Sequence, residues 1–129
     1  MAIGGIAHYN FRARRDLLDA LRDFYVAVVG LQLGPRPDFA SFGYWLYAGD
    51  QDVLHLSEEL DKDQRRIGRD LTFDHVAFEC TDWSAHQSRL KSNAVEFSID
   101  RVPGSGRLQV FFRDPAGNGV ELIFGVGQA

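Results

Sequence analysis

Four side chains suited to metal binding recur at a regular spacing in this sequence. His8 and His75 are 67 positions apart, and each is the third residue of an Ile/Phe-x-His motif. His55 and Glu121 are 66 positions apart, and each is followed by leucine. Three neutral imidazoles and one carboxylate suit Zn, Ni, Fe or Mn, and not Ca or Mg. The pattern predicts one divalent transition metal held by His8, His55, His75 and Glu121.

Each of these residues also has a simpler interpretation. A lone histidine in a strand is more often a core or surface residue than a ligand, and a glutamate within a strand usually faces solvent. Burying Glu121 between Val120 and Leu122 without a partner would be costly. The equivalent placement of all four residues in a repeat favours the metal site. His86 lies outside this pattern, on a predicted helix, and is interpreted as a surface residue.

Strands and a helix in the first half of the chain would position His8 and His55. Residues 3–11 are predicted to form a strand, with His8 on one face. Residues 14–29 follow as a helix whose apolar stripe contains Leu17, Leu21, Phe24 and Val28. Gly30 is expected to end this helix in the left-handed conformation. Three further strands are predicted over residues 31–33, 42–48 and 52–57.

The same order of elements recurs in the second half. A strand is predicted over residues 72–80, and a helix capped by Asp82 runs to about residue 92. Asn93 is expected to adopt the left-handed conformation at its end. An extended segment over 95–102 and strands over 107–113 and 119–124 complete the chain. We interpret the highly charged residues 58–70 as a solvated linker.

The predicted fold class is α+β, built from two tandem βαβββ modules. The modules would form a curved, cup-shaped mixed sheet with the helices outside. Residues 1–129 are one domain, which contains a first module over 1–57, the linker over 58–70 and a second module over 71–129. The first and last strands of each module would line the concave side, where the four candidate ligands lie.

A tight turn precedes the strand that carries Glu121. Asp114 can accept backbone N–H groups, and Pro115 presets φ at the next position. Gly117 and Asn118 tolerate the left-handed conformation. The turn would set the register of the last strand, so that Glu121 rather than Val120 points into the cup.

Composition limits the possible functions. The chain has 129 residues, of which 45% are hydrophobic, and this composition is ordinary for a globular domain. Its net charge of −4 gives no positively charged surface for nucleic acid. Cys80 is the single cysteine, which excludes an internal disulfide and a multi-cysteine zinc site. No signal peptide or membrane-spanning run is recognisable in the sequence, and a cytoplasmic location is the simplest expectation.

The sequence resembles the vicinal oxygen chelate superfamily, which includes glyoxalase I, fosfomycin-resistance thiol transferases, bleomycin-binding proteins and extradiol dioxygenases. The resemblance covers essentially the whole chain. It is carried by the segments Ile6-Ala7-His8-Tyr9-Asn10, Asp23-Phe24-Tyr25 through Gly30-Leu31, Phe73-Asp74-His75-Val76-Ala77-Phe78 and Asp114-Pro115-x-Gly117-Asn118-x-x-Glu121-Leu122. The resemblance implies paired βαβββ modules around a small-molecule site and a homodimer, with modules paired within or across subunits.

The family's metal positions correspond to His8, His55, His75 and Glu121. In glyoxalase I the position of His55 is commonly a glutamate that takes part in proton transfer, whereas fosfomycin-type members have a histidine there. In extradiol dioxygenases a His-His-Glu iron triad corresponds to His8, His75 and Glu121, and His55 could then be an acid–base residue. Members that only bind bleomycin generally lack this metal set.

The favoured function is that of a metal-dependent lyase or isomerase of the glyoxalase type. Its substrate would chelate the metal through adjacent oxygens, and Glu121 or His55 would move a proton. An extradiol-type dioxygenase, a thiol transferase and a non-catalytic drug- or metabolite-binding resistance protein remain alternatives. An anionic substrate group could be held by Arg101, Arg107 and Arg113, although a solvated face is the simpler explanation. The candidate substrate-binding residues are Trp45, Tyr47, Gln109, Phe111 and Arg113.

Overall fold

The computed structural model describes residues 2–61 and 73–127. The chain divides into two compact units, Met1–Arg65 and Arg66–Ala129. Within these described residues, each unit contains one four-stranded mixed sheet and one α-helix. The predicted α+β fold with two tandem βαβββ modules is confirmed. Residues 62–70 of the predicted linker lie outside the described residues.

The first unit contains strands β1 (Tyr9–Ala13), β2 (Gln32–Gly34), β3 (Gly43–Ala48) and β4 (Gln51–Glu58). Helix α1 (Arg15–Phe24) follows β1 and continues into a π-helical turn, Tyr25–Val29. The strand order is β1-β4-β3-β2. Strand β1 is parallel to β4, and the other neighbours are antiparallel.

The second unit repeats this arrangement. Its strands are β5 (His75–Cys80), β6 (Ser98–Arg101), β7 (Leu108–Arg113) and β8 (Gly119–Phe124), and helix α2 spans Trp83–Ser92. The strand order β5-β8-β7-β6 matches that of the first unit, with β5 parallel to β8. No helix in the described parts of the chain has the length and apolar composition needed to cross a membrane.

Alternation along the strands separates a core face from a face that carries polar residues. In β4, Leu54 and Leu56 are buried on the face that meets α1, and His55 points the other way. In β8, Val120 and Leu122 belong to the core, and Glu121 lies on the opposite face. The candidate ligands of both units therefore lie on the sheet face that the core does not use.

Several element boundaries differ from the predictions. Strand β1 begins at Tyr9 rather than residue 3, so His8 directly precedes it. The expected continuous helix over 14–29 changes from α to π geometry at Tyr25, whose carbonyl oxygen accepts from the N–H groups of both Gly30 and Leu31. Gly30 is left-handed, as predicted, with φ 99°. The buried side chains of this helix are Leu18, Leu21, Tyr25, Val28 and Val29.

The end of α2 also differs by one residue. Asp82 caps α2 as predicted, because its carboxylate accepts from the Ala85 N–H. The left-handed residue after the helix is Ala94, with φ 55°, and not Asn93. The Asn93 side chain instead donates to the Arg89 carbonyl oxygen, which satisfies one carbonyl at the helix end.

Candidate functional site

Two histidines of the first unit lie ring against ring. The centroids of the His8 and His55 rings are 3.6 Å apart, with an interplanar angle of 16°. The Trp45 ring stacks on the other face of His55 at 4.0 Å. Trp45 and His55 are direct cross-strand partners on β3 and β4, so the sheet itself holds this contact. His55 is 9% exposed and its ring plane is fixed on both sides.

A β-bulge brings Asp52 to the same place. Leu46 pairs with Leu54, and Ala48 pairs with Gln51. An advance of two residues along β3 therefore corresponds to three residues along β4, which defines the bulge. In a regular strand Asp52 and His55 would point to opposite faces. The bulge places Asp52 Oδ2 2.6 Å from His55 Nε2. This hydrogen bond holds the pKa of Asp52 below its usual range, so the carboxylate accepts and the ring nitrogen donates.

A groove of about 540 Å³ opens over these side chains. Its walls combine the candidate ligands with the Trp45 ring and two arginines, which gives the groove both aromatic surface and positive charge. Arg36 is held in place by donation to the Ser41 carbonyl oxygen. The residues that line the groove are His8, Asn10, Arg12, Arg36, Phe39, Ser41, Trp45, Asp52, His55, Leu56 and Ser57.

The second unit pairs His75 with Glu121. His75 Nε2 lies 3.1 Å from Glu121 Oε1, and the Gln109 amide donates to Glu121 Oε2 at 3.2 Å. Glu121 is 5% exposed, so it is a buried carboxylate with partners. On the other side of the imidazole, His75 Nδ1 lies 2.7 Å from Asp74 Oδ2. The hydrogen bond with Asp74 and the charge of Glu121 raise the pKa of His75.

Gly119 allows β5 and β8 to approach closely beside His75. A Cβ atom at Gly119 would lie 2.4 Å from the Asp74 carbonyl oxygen and 2.8 Å from His75 Cβ. The Phe111 ring meets the His75 ring edge to face, with centroids 6.0 Å apart. A cavity of about 230 Å³ borders this group; it is lined by Asp74, His75, Ser98, Phe111, Phe112, Arg113, Gly119 and Val120.

The turn before β8 has the predicted chemistry. Asp114 is 5% exposed, and its carboxylate accepts from the N–H groups of Ala116 and Asn118 and from the Asn118 side-chain amide. Gly117 is the left-handed residue, with φ 85°. These hydrogen bonds fix the turn up to Asn118, directly before β8 begins at Gly119.

The strand registers make the two pairs of candidate ligands equivalent, His8 with His55 and His75 with Glu121. Asn10 is the β1 partner of His55, and Ala77 is the β5 partner of Glu121. His8 and His75 each lie two residues before that partner, on the same side of the sheet. The repeat seen in sequence spacing is therefore also a repeat in strand register.

Two predicted pocket residues have additional contacts. The Tyr47 hydroxyl donates to the Pro35 carbonyl oxygen, and its ring covers Gly34, so Tyr47 lies against β2. Arg113 borders the cavity of the second unit, where it donates to the Gly117 carbonyl oxygen. The structure thus places Tyr47 beside the edge strand and Arg113 beside the turn.

The interpretation of His86 as a surface residue is wrong. Its ring packs on Phe124 with centroids 5.6 Å apart, and its Nδ1 atom is buried without a hydrogen-bond partner. Burial lowers the pKa of His86. The position of His86 in the sequence did not indicate this burial, because α2 has few apolar residues to mark its buried face. The His86 ring itself packs against the sheet at Phe124.

Sequence reasoning missed Asp52 and Asp74. Regular alternation would place Asp52 on the core side of β4, with Leu54 and Leu56. A bulge within a strand leaves no clear mark in a single sequence. Asp74 could have been found from its position directly before His75. Both carboxylates contact a candidate metal-binding histidine.

The donor groups fit a divalent transition metal. With metal–ligand bonds of about 2.1 Å, adjacent donors lie roughly 3.0–3.4 Å apart. The separation of His75 Nε2 and Glu121 Oε1 is 3.1 Å. In the first unit, donor atoms of His8, Asp52 and His55 all lie within 4.8 Å of one another. Imidazole and carboxylate together suit Zn, Fe, Ni or Mn.

Solved structures show the same fold. Lactoylglutathione lyase from Agrobacterium tumefaciens is 24% identical with a TM-score of 0.68, and the match covers 97% of this chain and 96% of that one. A glyoxalase family protein from Enterococcus faecalis is 23% identical, with a TM-score of 0.66 and coverage of 95% and 99%. A glyoxylase/bleomycin resistance protein/dioxygenase domain from Frankia sp. is 18% identical, with a TM-score of 0.71 and coverage of 96% and 93%.

The sequence itself also matches a known family. A comparison with curated proteins gives no significant match. The profile of the Glyoxalase/Bleomycin resistance protein/Dioxygenase superfamily matches residues 5–122, which is most of the chain. Together with two βαβββ units of matching strand order, this match shows that the chain belongs to the Glyoxalase/Bleomycin resistance protein/Dioxygenase superfamily.

Proposed function

We propose that this protein is a metal-dependent enzyme of the glyoxalase type, a lyase or isomerase acting on a small molecule with two adjacent oxygens. The metal ligands would be His8, His55, His75 and Glu121. The observation that carries the proposal is the equivalent register of the two pairs, His8 with His55 and His75 with Glu121. A buried carboxylate already 3.1 Å from an imidazole nitrogen adds support.

A divalent metal held by three imidazoles and one carboxylate would keep a positive charge, and it would stabilise negative charge developing on the two substrate oxygens. The protein's own residues would bind and orient the substrate. Trp45 offers an aromatic wall in the first-unit groove, and Arg12 and Arg36 give it positive charge for an anionic substituent. In the second unit, Gln109 and Phe111 hold Glu121 and His75 in position.

Proton transfer is assigned to Glu121 or His55. Glu121 Oε2 is anchored by Gln109, which leaves Oε1 facing the site to accept a proton. His55 has a carboxylate partner in Asp52, an arrangement that supports an imidazole acting as acid or base. The variants Glu121→Gln and His55→Gln separate these roles in the metal-loaded protein. Substitution of the residue that moves the proton should lower kcat, whereas substitution of a residue that only binds metal should lower metal affinity.

The first experiment is elemental analysis of protein purified without an affinity tag, followed by turnover assays with thiol adducts and with catechols. Bound Ni, Zn or Mn with thiol-dependent turnover supports the proposal. Bound iron with oxygen uptake on catechols would identify an oxygenase instead. A protein without affinity for divalent metals would be a binding protein, and the enzyme proposal would be wrong.

The second experiment measures metal affinity of variants. His75→Ala should weaken binding at least about 100-fold, or roughly 2.7 kcal/mol, and Glu121→Gln should act in the same direction. His86→Leu is the matched control, because it removes an imidazole of the same unit from the opposite side of the sheet. Unchanged affinity in both His75→Ala and Glu121→Gln would refute the four-residue site.

A site with these four ligands would combine one first unit and one second unit, which belong either to one chain or to the two subunits of a homodimer. Mixed dimers of His8→Ala and His75→Ala distinguish these cases. Pairing across subunits restores one unmodified site in each mixed dimer, whereas pairing within a chain restores none. Sedimentation analysis and metal stoichiometry of the mixed species are the measurements, and a monomer would exclude the homodimer.

A further inference from the structure

We propose that Asp52 is itself a ligand of the proposed metal site, so that the first unit contributes three donors to it, His8, Asp52 and His55. The inference rests on the proposed function in one respect, the participation of His8 and His55 in metal binding. It adds a donor that the repeat does not predict, because the equivalence of the two units accounts only for His8, His55, His75 and Glu121.

The bulge in β4 is the first argument. It places the Asp52 carboxylate on the face that carries His55, although regular alternation would direct the two side chains to opposite faces. A bulge disrupts the hydrogen-bonding ladder and is commonly found where a strand must re-aim a side chain beside a functional site. Here the re-aimed group is a carboxylate at a pair of stacked imidazoles.

The ring nitrogen that Asp52 contacts is the second argument. In the second unit, His75 Nε2 faces Glu121 and Nδ1 faces Asp74. In the first unit, His55 Nε2 faces Asp52 at 2.6 Å. Asp52 therefore has the same relation to His55 that Glu121 has to His75, and each unit presents one imidazole Nε2 beside one carboxylate oxygen.

The composition and surroundings of the group are the third argument. Two histidines and one carboxylate form a donor set common in zinc and non-haem iron sites, where open positions admit substrate. Within residues 2–61 and 73–127, this is the one set of three such side chains whose donor atoms lie within 4.8 Å of one another. The group borders the groove of about 540 Å³, which leaves room for substrate on the open side.

A cobalt-binding experiment on the full-length protein tests the assignment. Asp52→Cys is made in a Cys80→Ala background, so that position 52 carries the single thiol of the chain. A thiolate bound to Co(II) produces an intense charge-transfer band in the near ultraviolet, and a thiolate outside the coordination sphere does not. Asp50→Cys in the same background is the matched control, because Asp50 is exposed in the turn before β4 and lies outside the groove.

The expected result is a charge-transfer band for Asp52→Cys and none for Asp50→Cys. In the native background, Asp52→Asn should bind Co(II) at least about tenfold more weakly, a loss of roughly 1.4 kcal/mol, while Asp50→Asn stays within about twofold. Absence of the band in Asp52→Cys, or native affinity in Asp52→Asn, overturns the proposal. The four-residue site is tested separately, by the metal affinity of His75→Ala and Glu121→Gln. The two proposals can therefore fail independently.

Discussion

The close approach of β5 to β8 at Gly119 gives a quantitative prediction. In a Gly119→Ala protein the new Cβ would lie 2.4 Å from the Asp74 carbonyl oxygen and 2.8 Å from His75 Cβ. Ordinary carbon–oxygen contacts in sheets are no shorter than about 3.3 Å, so the strands must separate by roughly 0.9 Å at this point. Rotation of a side chain cannot relieve the clash, because the nearest atom belongs to the backbone.

This separation should reduce both stability and metal binding. Forcing extra volume into a packed site costs about 1–3 kcal/mol, which for a domain of this size lowers Tm by roughly 3–15 °C. His75 moves with β5, so its Nε2 atom leaves the 3.1 Å contact with Glu121 Oε1. We expect metal affinity to fall at least about tenfold, as it does when residues that orient metal ligands are changed.

Thermal unfolding of the metal-free protein and calorimetric metal titration measure the two effects separately. Gly4→Ala is the matched control, since a Cβ at Gly4 meets no atom within 4 Å and should change stability by less than about 0.5 kcal/mol. If Gly119→Ala unfolds at the native temperature and binds metal normally, the inferred role of Gly119 in positioning His75 is wrong.

Three other side chains give predictions with independent readouts. Asp114→Ala removes a buried acceptor of three hydrogen bonds and should cost at least about 2 kcal/mol in urea unfolding; a smaller loss would show that the turn tolerates unsatisfied donors. Burial raises the pKa of Cys80 to about 11, so alkylation of the folded protein near pH 8 should be roughly 100-fold slower than in urea, and equal rates would contradict this. Burial lowers the pKa of His86 in the folded protein. Its neutral form therefore contributes to the free energy of unfolding above the unfolded pKa of about 6.5, and this contribution is lost as the pH falls through the lower folded pKa. His86→Leu should lack this loss, and parallel pH profiles of the two proteins would refute it.

Much of the fold follows from local sequence rules. Strand β8 has the predicted limits because a turn with defined hydrogen bonds precedes it and apolar residues alternate within it. The errors lie where pairing or packing overrides local pattern. The segment before β1 reads as a strand, yet pairing starts at Tyr9, since the β4 partner of His8 would fall at the bulge. Ala94 is left-handed although Asn93 has the better propensity, because Asn93 caps α2 through its side chain.

The sequence alone determined the repeat, the two-module fold and the identity of four candidate ligands, because hydrophobic alternation and equivalent spacing are properties of the chain itself. Tertiary structure decided which other groups reach those ligands. Asp52 meets His55 only because β4 is bulged, and Trp45 stacks on His55 only in the observed register with β3. His86 is a packing residue because α2 lies over the sheet face that carries Phe124. Such contacts depend on register and on neighbouring strands, which distant parts of the chain fix together.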